Sequence, residues 1–226
     1  MRRPPTAALL APVLLALLAG GLAAEGVDAQ PTLTVDASAG PSLTRLGASG
    51  AVEVIGFPIP VGEVEFPTSV GVDARLRVGL SGPAWGARLG VGYLGASDVF
   101  DGASVLGQRS VDVAFLVASA EATVRRPLAN GGEAVLGVGP ELRSTVGKSE
   151  GLLAALGDVQ ESHLAVGVSV GTRFRMGGLV LGPEARAGLA LTPLSDDEVS
   201  VLGGRIRLAG AFRFNHASVS LTVGTE

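Results

Sequence analysis

The chain has 226 residues, 34 of them glycine and none cysteine, with 17 basic and 21 acidic side chains for a net charge of −4. That is chain enough for one domain or at most two; it excludes a disulfide scaffold or a thiolate metal site, and a pI near 5.3 with no basic run lacks the electrostatic footprint of a nucleic-acid binder. Apolar residues reach 47%, yet only one long apolar block exists, so most of the apolar side chains are used in some other way.

That block comes first. Arg2 and Arg3 precede a run of Ala, Leu, Val and Gly from Ala7 to Ala24, and Val27 and Ala29 stand at the −3 and −1 positions before Gln30. The pattern predicts a cleavable signal peptide over residues 1–29 and export of residues 30–226. Pro12, Gly20 and Gly21 make the block a poor permanent helix, and it sits at the short end of the roughly 20 residues needed to span a bilayer. Cleavage removes Arg2, Arg3, Glu25 and Asp28, which leaves the net charge at −4.

From Pro31 onward the period is two. Val70, Val72, Ala74, Leu76, Val78 and Leu80 alternate with Ser69, Gly71, Asp73, Arg75, Arg77 and Gly79, as a strand with two chemically different faces does. Trp85, Leu89, Val91 and Tyr93 alternate with Gly86, Arg88, Gly90 and Gly92, and Val166, Val168, Val170 and Phe174 alternate with Gly167, Ser169, Gly171, Arg173 and Arg175. Near the end, Ile206, Leu208, Phe212 and Phe214 alternate with Arg205, Arg207, Ala211 and Arg213. Less regular members cover residues 32–40, 46–56, 111–125, 133–146, 179–192 and 217–224.

This predicts about ten strands, many of them 11 to 15 residues long, where globular strands run near 5 or 6 and a tilted membrane strand needs about 9 to 11. Short connections at 41–45, 82–83, 127–132, 176–178 and 215–216 alternate with longer ones at 57–67, 95–110, 147–162 and 193–203. An up-and-down barrel alternates its turns and loops in this way. With 32–40 and 46–56 as separate strands, both ends of the barrel fall at the long-loop rim. A weak internal echo, Gly139-Pro140-Glu141-Leu142-Arg143 and Gly182-Pro183-Glu184-Ala185-Arg186, puts Glu and Arg on one face in both copies.

Alternation alone fits a soluble barrel with apolar parity inward or a membrane barrel with it outward. Residue types decide. A water-facing parity uses Lys, Glu, Gln and Thr, but the only lysine is Lys148, in a loop, and the polar parity mixes glycine with arginine. Glycine costs a strand about 0.5 to 1 kcal/mol relative to alanine, so its enrichment there signals crowding in a narrow lumen where long arginines meet carboxylates. The expected lumen charge network is Arg75, Arg77, Arg88, Glu121, Arg125, Glu141, Arg143, Arg173, Arg175, Glu184, Arg186, Arg205, Arg207 and Arg213. The expected lipid face is Val70, Val72, Leu76, Val78, Trp85, Leu89, Val91, Tyr93, Val166, Val168, Val170, Phe174, Leu208 and Phe212. Loop acids such as Glu63, Glu65, Asp98, Asp101, Glu150 and Asp158 predict an acidic crown over a basic interior.

A signal peptide followed by paired long amphipathic strands with Gly, Arg and Glu on the enclosed parity resembles the small outer-membrane β-barrel proteins of Gram-negative bacteria. The resemblance implies an all-β, antiparallel up-and-down transmembrane barrel of eight to ten strands in the outer membrane. It implies outer-membrane lipid as solvent, a monomer, and outer-membrane assembly machinery during insertion, with no nucleic-acid partner. Activity in that group ranges from structural and adhesive barrels through small pores to a few enzymes.

Catalytic chemistry is sparse. His163 stands beside Ser162 with Asp158 nearby, and His216 follows Asn215; both histidines read as solvated rim residues, and Ser162, His163 and Asp158 make a triad only by sequence proximity. Glu141 and Glu184 each have an arginine two residues on, and a salt-bridged carboxylate is a poor general acid. Asp196, Asp197 and Glu198 lack the glycine and spacing of a calcium loop. The reading is therefore no enzyme, no cofactor and no metal, but a structural barrel or a narrow pore, anion-preferring if it conducts. The alternatives are a secreted soluble barrel with an apolar ligand inside and, third, a lipid-modifying outer-membrane enzyme.

Overall fold

The computed structural model describes residues 30–54, 57–65, 68–97, 112–129, 131–146, 160–194, 198–201 and 206–225, with side chains left undescribed over 48–65 and 198–211. The expected signal peptide therefore lies outside the described residues, as do Asp158, Asp196, Asp197 and Arg205.

The strands are β1 (Thr32–Val54), β2 (Phe57–Glu65), β3 (Ser69–Ser81), β4 (Trp85–Ala96), β5 (Val113–Pro127), β6 (Glu133–Thr145), β7 (Ser162–Met176), β8 (Leu179–Ala190), β9 (Glu198–Val201) and β10 (Ile206–Thr225). Eight close a ring in the order β1-β3-β4-β5-β6-β7-β8-β10, with β10 paired back to β1. Every pairing is antiparallel and the ring closes with no free edge, the condition for backbone in hydrocarbon.

The registers fix the size of the barrel. The row that starts at Leu33 runs through Leu80, Ala87, Ala122, Val138, Val168, Ala187 and Ala217 and returns to β1 at Leu43, ten residues along. With eight strands, that stagger tilts them by about 40° and sets a backbone radius of about 8 Å, a bore that side chains alone can fill.

Two predicted turns are strand. Residues 41–45 lie inside β1, where Ser42, Leu43, Thr44 and Arg45 pair with Ser218, Ala217, His216 and Asn215 of β10, so the turn expected at 215–216 is also absent. The four short expected strands become two long ones, which brings ten to eight in the ring. Pro41 takes an outward, exposed place, keeps its pairing with Val72 of β3, and interrupts the β1–β10 register only at Gly40 and Pro41. Thr32 pairs with Ser81 and Thr225 with Val35, so both barrel ends lie at the short-turn rim, opposite to the expectation from separate strands. Gly131 (φ 79°) and Gly177 (φ 66°) serve two of the tight turns at this rim.

At the other rim β1 and β10 stay paired as far as Val54 and Ile206 and are flanked by two extra strands, giving a projecting sheet in the order β2-β1-β10-β9. The long connection expected at 57–67 is thus mostly β2.

The apolar parity points out. Leu33, Val70, Leu89, Val91, Val124 and Val219 are 60 to 63% exposed, and their band encircles the barrel. Soluble monomers rarely carry contiguous apolar area on that scale. Ten residues from Leu33 to Leu43 at ~3.3 Å each, tilted by ~40°, raise the band by about 25 Å, the height of a membrane barrel's apolar belt. The arrangement is that of a transmembrane barrel, and the greasy cavity required by a soluble carrier is replaced by charge.

Candidate functional site in the barrel lumen

Alternation sends Asp36 of β1, Asp73, Arg75 and Arg77 of β3, Arg88 of β4, Glu121 and Arg125 of β5, Glu141 and Arg143 of β6, Arg173 of β7, and Glu184 and Arg186 of β8 to the inside, each 7% exposed or less. Eleven of these twelve form one connected network. Arg173 meets Asp36 at 3.0 Å, Arg77 meets Asp36 and Glu184 at 2.5 Å each, and Arg88 meets Glu121 at 2.6 Å. Arg186 bridges Glu121 at 3.0 Å and Glu141 at 2.9 Å, and Glu141 also takes Arg75 at 2.8 Å and Arg143 at 2.9 Å. Arg75 closes on Asp73 at 2.8 Å. The two Gly-Pro-Glu-x-Arg segments thus meet at the Arg186–Glu141 contact, which places the sequence echo at the centre of the network.

Glycine makes the room. A Cβ on Gly90 would lie 2.9 Å from Arg77 Cγ, one on Gly92 2.8 Å from Arg75 Cγ, and one on Gly167 2.6 Å from Glu141 Oε1. Serine and threonine fill the remaining valences: Ser169 donates to Glu121 at 2.6 Å and Ser218 to Asp73 at 2.9 Å.

Above the network, toward the long-loop rim, the interior turns apolar. Leu46, Leu94, Phe115, Leu194 and Phe214 are 0 to 1% exposed, with Phe115 edge-on to Phe214 at 4.8 Å. At this level the outer face becomes polar, with Arg45, Asp112, Ser162 and Arg213 exposed. The wall has left the bilayer, and the ordinary rule of apolar inside and polar outside resumes.

That reversal corrects several placements. Phe212, expected against lipid, is 2% exposed and inward, and Arg213, expected in the lumen, is outward and exposed. Arg175 has the inward parity but sits at the short-turn rim, where its side chain is 64% exposed and 3.4 Å from Glu133. Arg205 is outside the described residues, and the side chains of Arg207 and Leu208 are undescribed. The other expected lumen residues lie inside. Val70, Val72, Leu76, Val78, Leu89, Val91, Tyr93, Val168, Val170 and Phe174 are exposed outward, and Trp85 and Val166 are half-buried there.

Both histidines are interior rather than solvated. His216 Nδ1 is 2.9 Å from Arg143 Nη2, and its Nε2 is 3.6 Å from Asp73 Oδ2. His163 is 2% exposed, edge-on to Phe115 at 5.0 Å, and neither ring nitrogen has a hydrogen-bond partner among the described residues. Ser162 is exposed on the opposite face of β7, so the two residues of the weighed triad point apart. Sequence reading missed Asp36, although it continues the even parity of Thr34 and Ser38, and it missed the inward course of β10, which the even run Ser218, Ser220 and Thr222 carries back through His216 to Phe214 and Phe212.

No protein-family model matches the chain, and no curated protein matches it as a relative. Among solved structures it is similar to Neisserial surface protein A, at 14% identity over 86% of this chain and 98% of that one, with a TM-score of 0.45. It is also similar to the outer membrane protein OprG from Pseudomonas aeruginosa, at 6% identity over 87% and 98% with a TM-score of 0.49. A third is the outer membrane protease OmpT from Escherichia coli, at 9% identity over 89% and 99% with a TM-score of 0.41. The class rests on this chain's own geometry: a closed eight-strand antiparallel barrel, apolar outside and ion-paired inside, which is the architecture of the small outer-membrane β-barrel proteins.

Proposed function

We propose that this chain is a non-conducting outer-membrane barrel whose lumen network is a structural plug and whose working surface is the long-loop rim with its projecting β2-β1-β10-β9 sheet. One observation carries the reading: Arg143, Glu141 and Arg77 are 0 to 1% exposed in mid-lumen, whereas side chains lining a water-filled path would be wetted. In this reading the protein is exported with cleavage near Ala29, inserted with the help of outer-membrane assembly machinery, and resides as a monomer in outer-membrane lipid, with long loops facing outward. It is not an enzyme, since the lumen carboxylates are consumed by arginines and Ser162 and His163 face apart. Planar-bilayer recording at neutral pH tests the plug. A silent protein supports it, and stable conductance steps contradict it.

A narrow anion path is the second reading, favoured by one observation: seven buried arginines face five buried carboxylates among the described residues. Rings of arginine select anions in pores. Reversal potentials that follow the chloride gradient would shift the assignment to this reading, and a cation-selective protein would remove it.

A further inference from the structure

The outer wall is not evenly filled. One sheet row carries Val168, Ala187, Ala217, Leu43 and Val70 across β7, β8, β10, β1 and β3, all five exposed. Its two middle places are alanine, and Ala185 is the next outward residue of β8 toward the short turns. The alanines leave a trough between the taller side chains, a groove of about 620 Å³, which is the size of a small-molecule site. Wall atoms that face a void lose their dispersion partners, so in a bilayer an acyl chain fills such a groove. Every lipid offers one, and the chain alone selects nothing.

Selection comes from what stands above the groove. One outward place beyond Leu43 is Arg45, and two beyond Ala217 is Arg213, both exposed at the level where the wall leaves the bilayer. Arg45 pairs with Asn215 and Arg213 with Gly47, so the two arginines are diagonal neighbours across the β1–β10 ladder, about 7 to 8 Å apart along the backbone. With Glu65 of β2 across Gly47, these two rows hold two arginines to one carboxylate. A guanidinium fork takes a phosphate bidentately, and a terminal phosphate, with three acceptor oxygens and nearly two charges, can engage both forks where a singly charged diester offers less. A second groove at the same rim gives the contrast. It measures about 510 Å³ beside Tyr93 and Gly95, and Asp112 heads it, a charge that repels an anionic head group.

We propose that the groove over β8, β10 and β1 is a lipid site, in which an acyl chain lies on Ala187 and Ala217 while Arg45 and Arg213 hold the terminal phosphate of a lipid in the outer leaflet. The choice of leaflet rests on the reading that the long loops face outward.

Phosphatidylcholine nanodiscs doped with diphosphoryl lipid A, read by mass spectrometry of the released protein with its bound lipid, test the site. One lipid A should stay on the natural chain. Retention should fall about tenfold or more when the phosphates are removed from the lipid, an arm that needs no variant, and likewise in an Arg45→Gln/Arg213→Gln chain, because each lost charge-assisted bond is worth roughly a decade in affinity. Phosphatidylglycerol, a diester, should be retained less than lipid A. Ala217→Leu should fill the trough and displace the lipid, and Ala118→Leu, at an exposed place on β5, should not. Heat-modifiable gel mobility verifies that each variant is folded. Equal retention of lipid A with and without its phosphates, undiminished retention by the double variant, or equal retention of phosphatidylglycerol overturns the site. The probe enters both leaflets of a nanodisc, so that failure leaves the orientation untouched. Labelling of the long loops on whole cells tests the orientation separately, and loops reached only from the periplasm would overturn the choice of leaflet.

Discussion

Glu141 is the carboxylate on which the plug converges. Its Oε1 accepts from Arg75 at 2.8 Å and Arg186 at 2.9 Å, its Oε2 from Arg143 at 2.9 Å, and the residue is 1% exposed. Glu141→Gln keeps the shape and removes the charge, leaving three guanidinium groups around an amide. Breaking a buried pair by neutralising one partner costs about 3 to 5 kcal/mol, because the remaining charge is uncompensated. At 1.4 kcal/mol per decade, that is roughly a 150- to 4,000-fold fall in the folded-to-unfolded ratio. The control is Glu133→Gln at the short-turn rim, whose side chain is 28% exposed with Arg175 at 3.4 Å and Arg125 at 3.6 Å. Pairs of that kind contribute at most about 1 kcal/mol. Urea unfolding in vesicles, read as the loss of heat-modifiable gel mobility, measures both. Equal effects of the two substitutions would refute the reasoning, since they would mean that Glu141 is as well solvated as a rim residue.

Other substitutions address the remaining elements. Gly90→Val puts a side chain where a Cβ already stands 2.8 Å from Ser119 Oγ and 2.9 Å from Arg77 Cγ, and overpacking should cost about 1 to 3 kcal/mol by the same unfolding assay. Gly178→Ala, with nothing within 4 Å, should be silent. Leu89→Arg, on a residue 62% exposed in the apolar band, should cost about 2 to 4 kcal/mol, while Arg213→Leu beyond the band should change stability by far less. His163→Phe removes from an apolar cap two ring nitrogens unmatched among the described residues and should stabilise by about 1 to 2 kcal/mol; a loss would show that the imidazole has a partner.

The barrel was legible because period-two alternation survives anything that happens at the ends of a strand. The faces of β3, β4 and β7 could be read straight from Val70 to Leu80, Trp85 to Tyr93 and Val166 to Phe174. Residue type misleads where it conflicts with parity. Pro41 and the Asn215–His216 pair look like turns, but each sits in a strand braced on both sides: Thr44 pairs with Ser69 and with His216, and Asn215 Oδ1 accepts the Ala190 amide at 2.9 Å where the β8 ladder ends. Phe212 and Phe214 look lipid-facing only while the wall is assumed to be in lipid. Past Arg45 and Arg213 it is in water, and the same side chains belong inside. The network partners were beyond sequence, because they depend on a ten-residue stagger that brings Asp36 to Arg173 across 137 positions.

The central claim is that the aliphatic parity meets lipid and the arginine parity is sealed. Because the chain has no cysteine, single cysteines placed along β3 from Ser69 to Ser81 and carrying nitroxide labels report each position separately. The account predicts that labels at 70, 72, 76, 78 and 80 collide with lipid-dissolved oxygen and are hidden from a water-soluble nickel relaxant, and that those at 73, 75 and 77 are reached by neither. Nickel access along the even positions would contradict it.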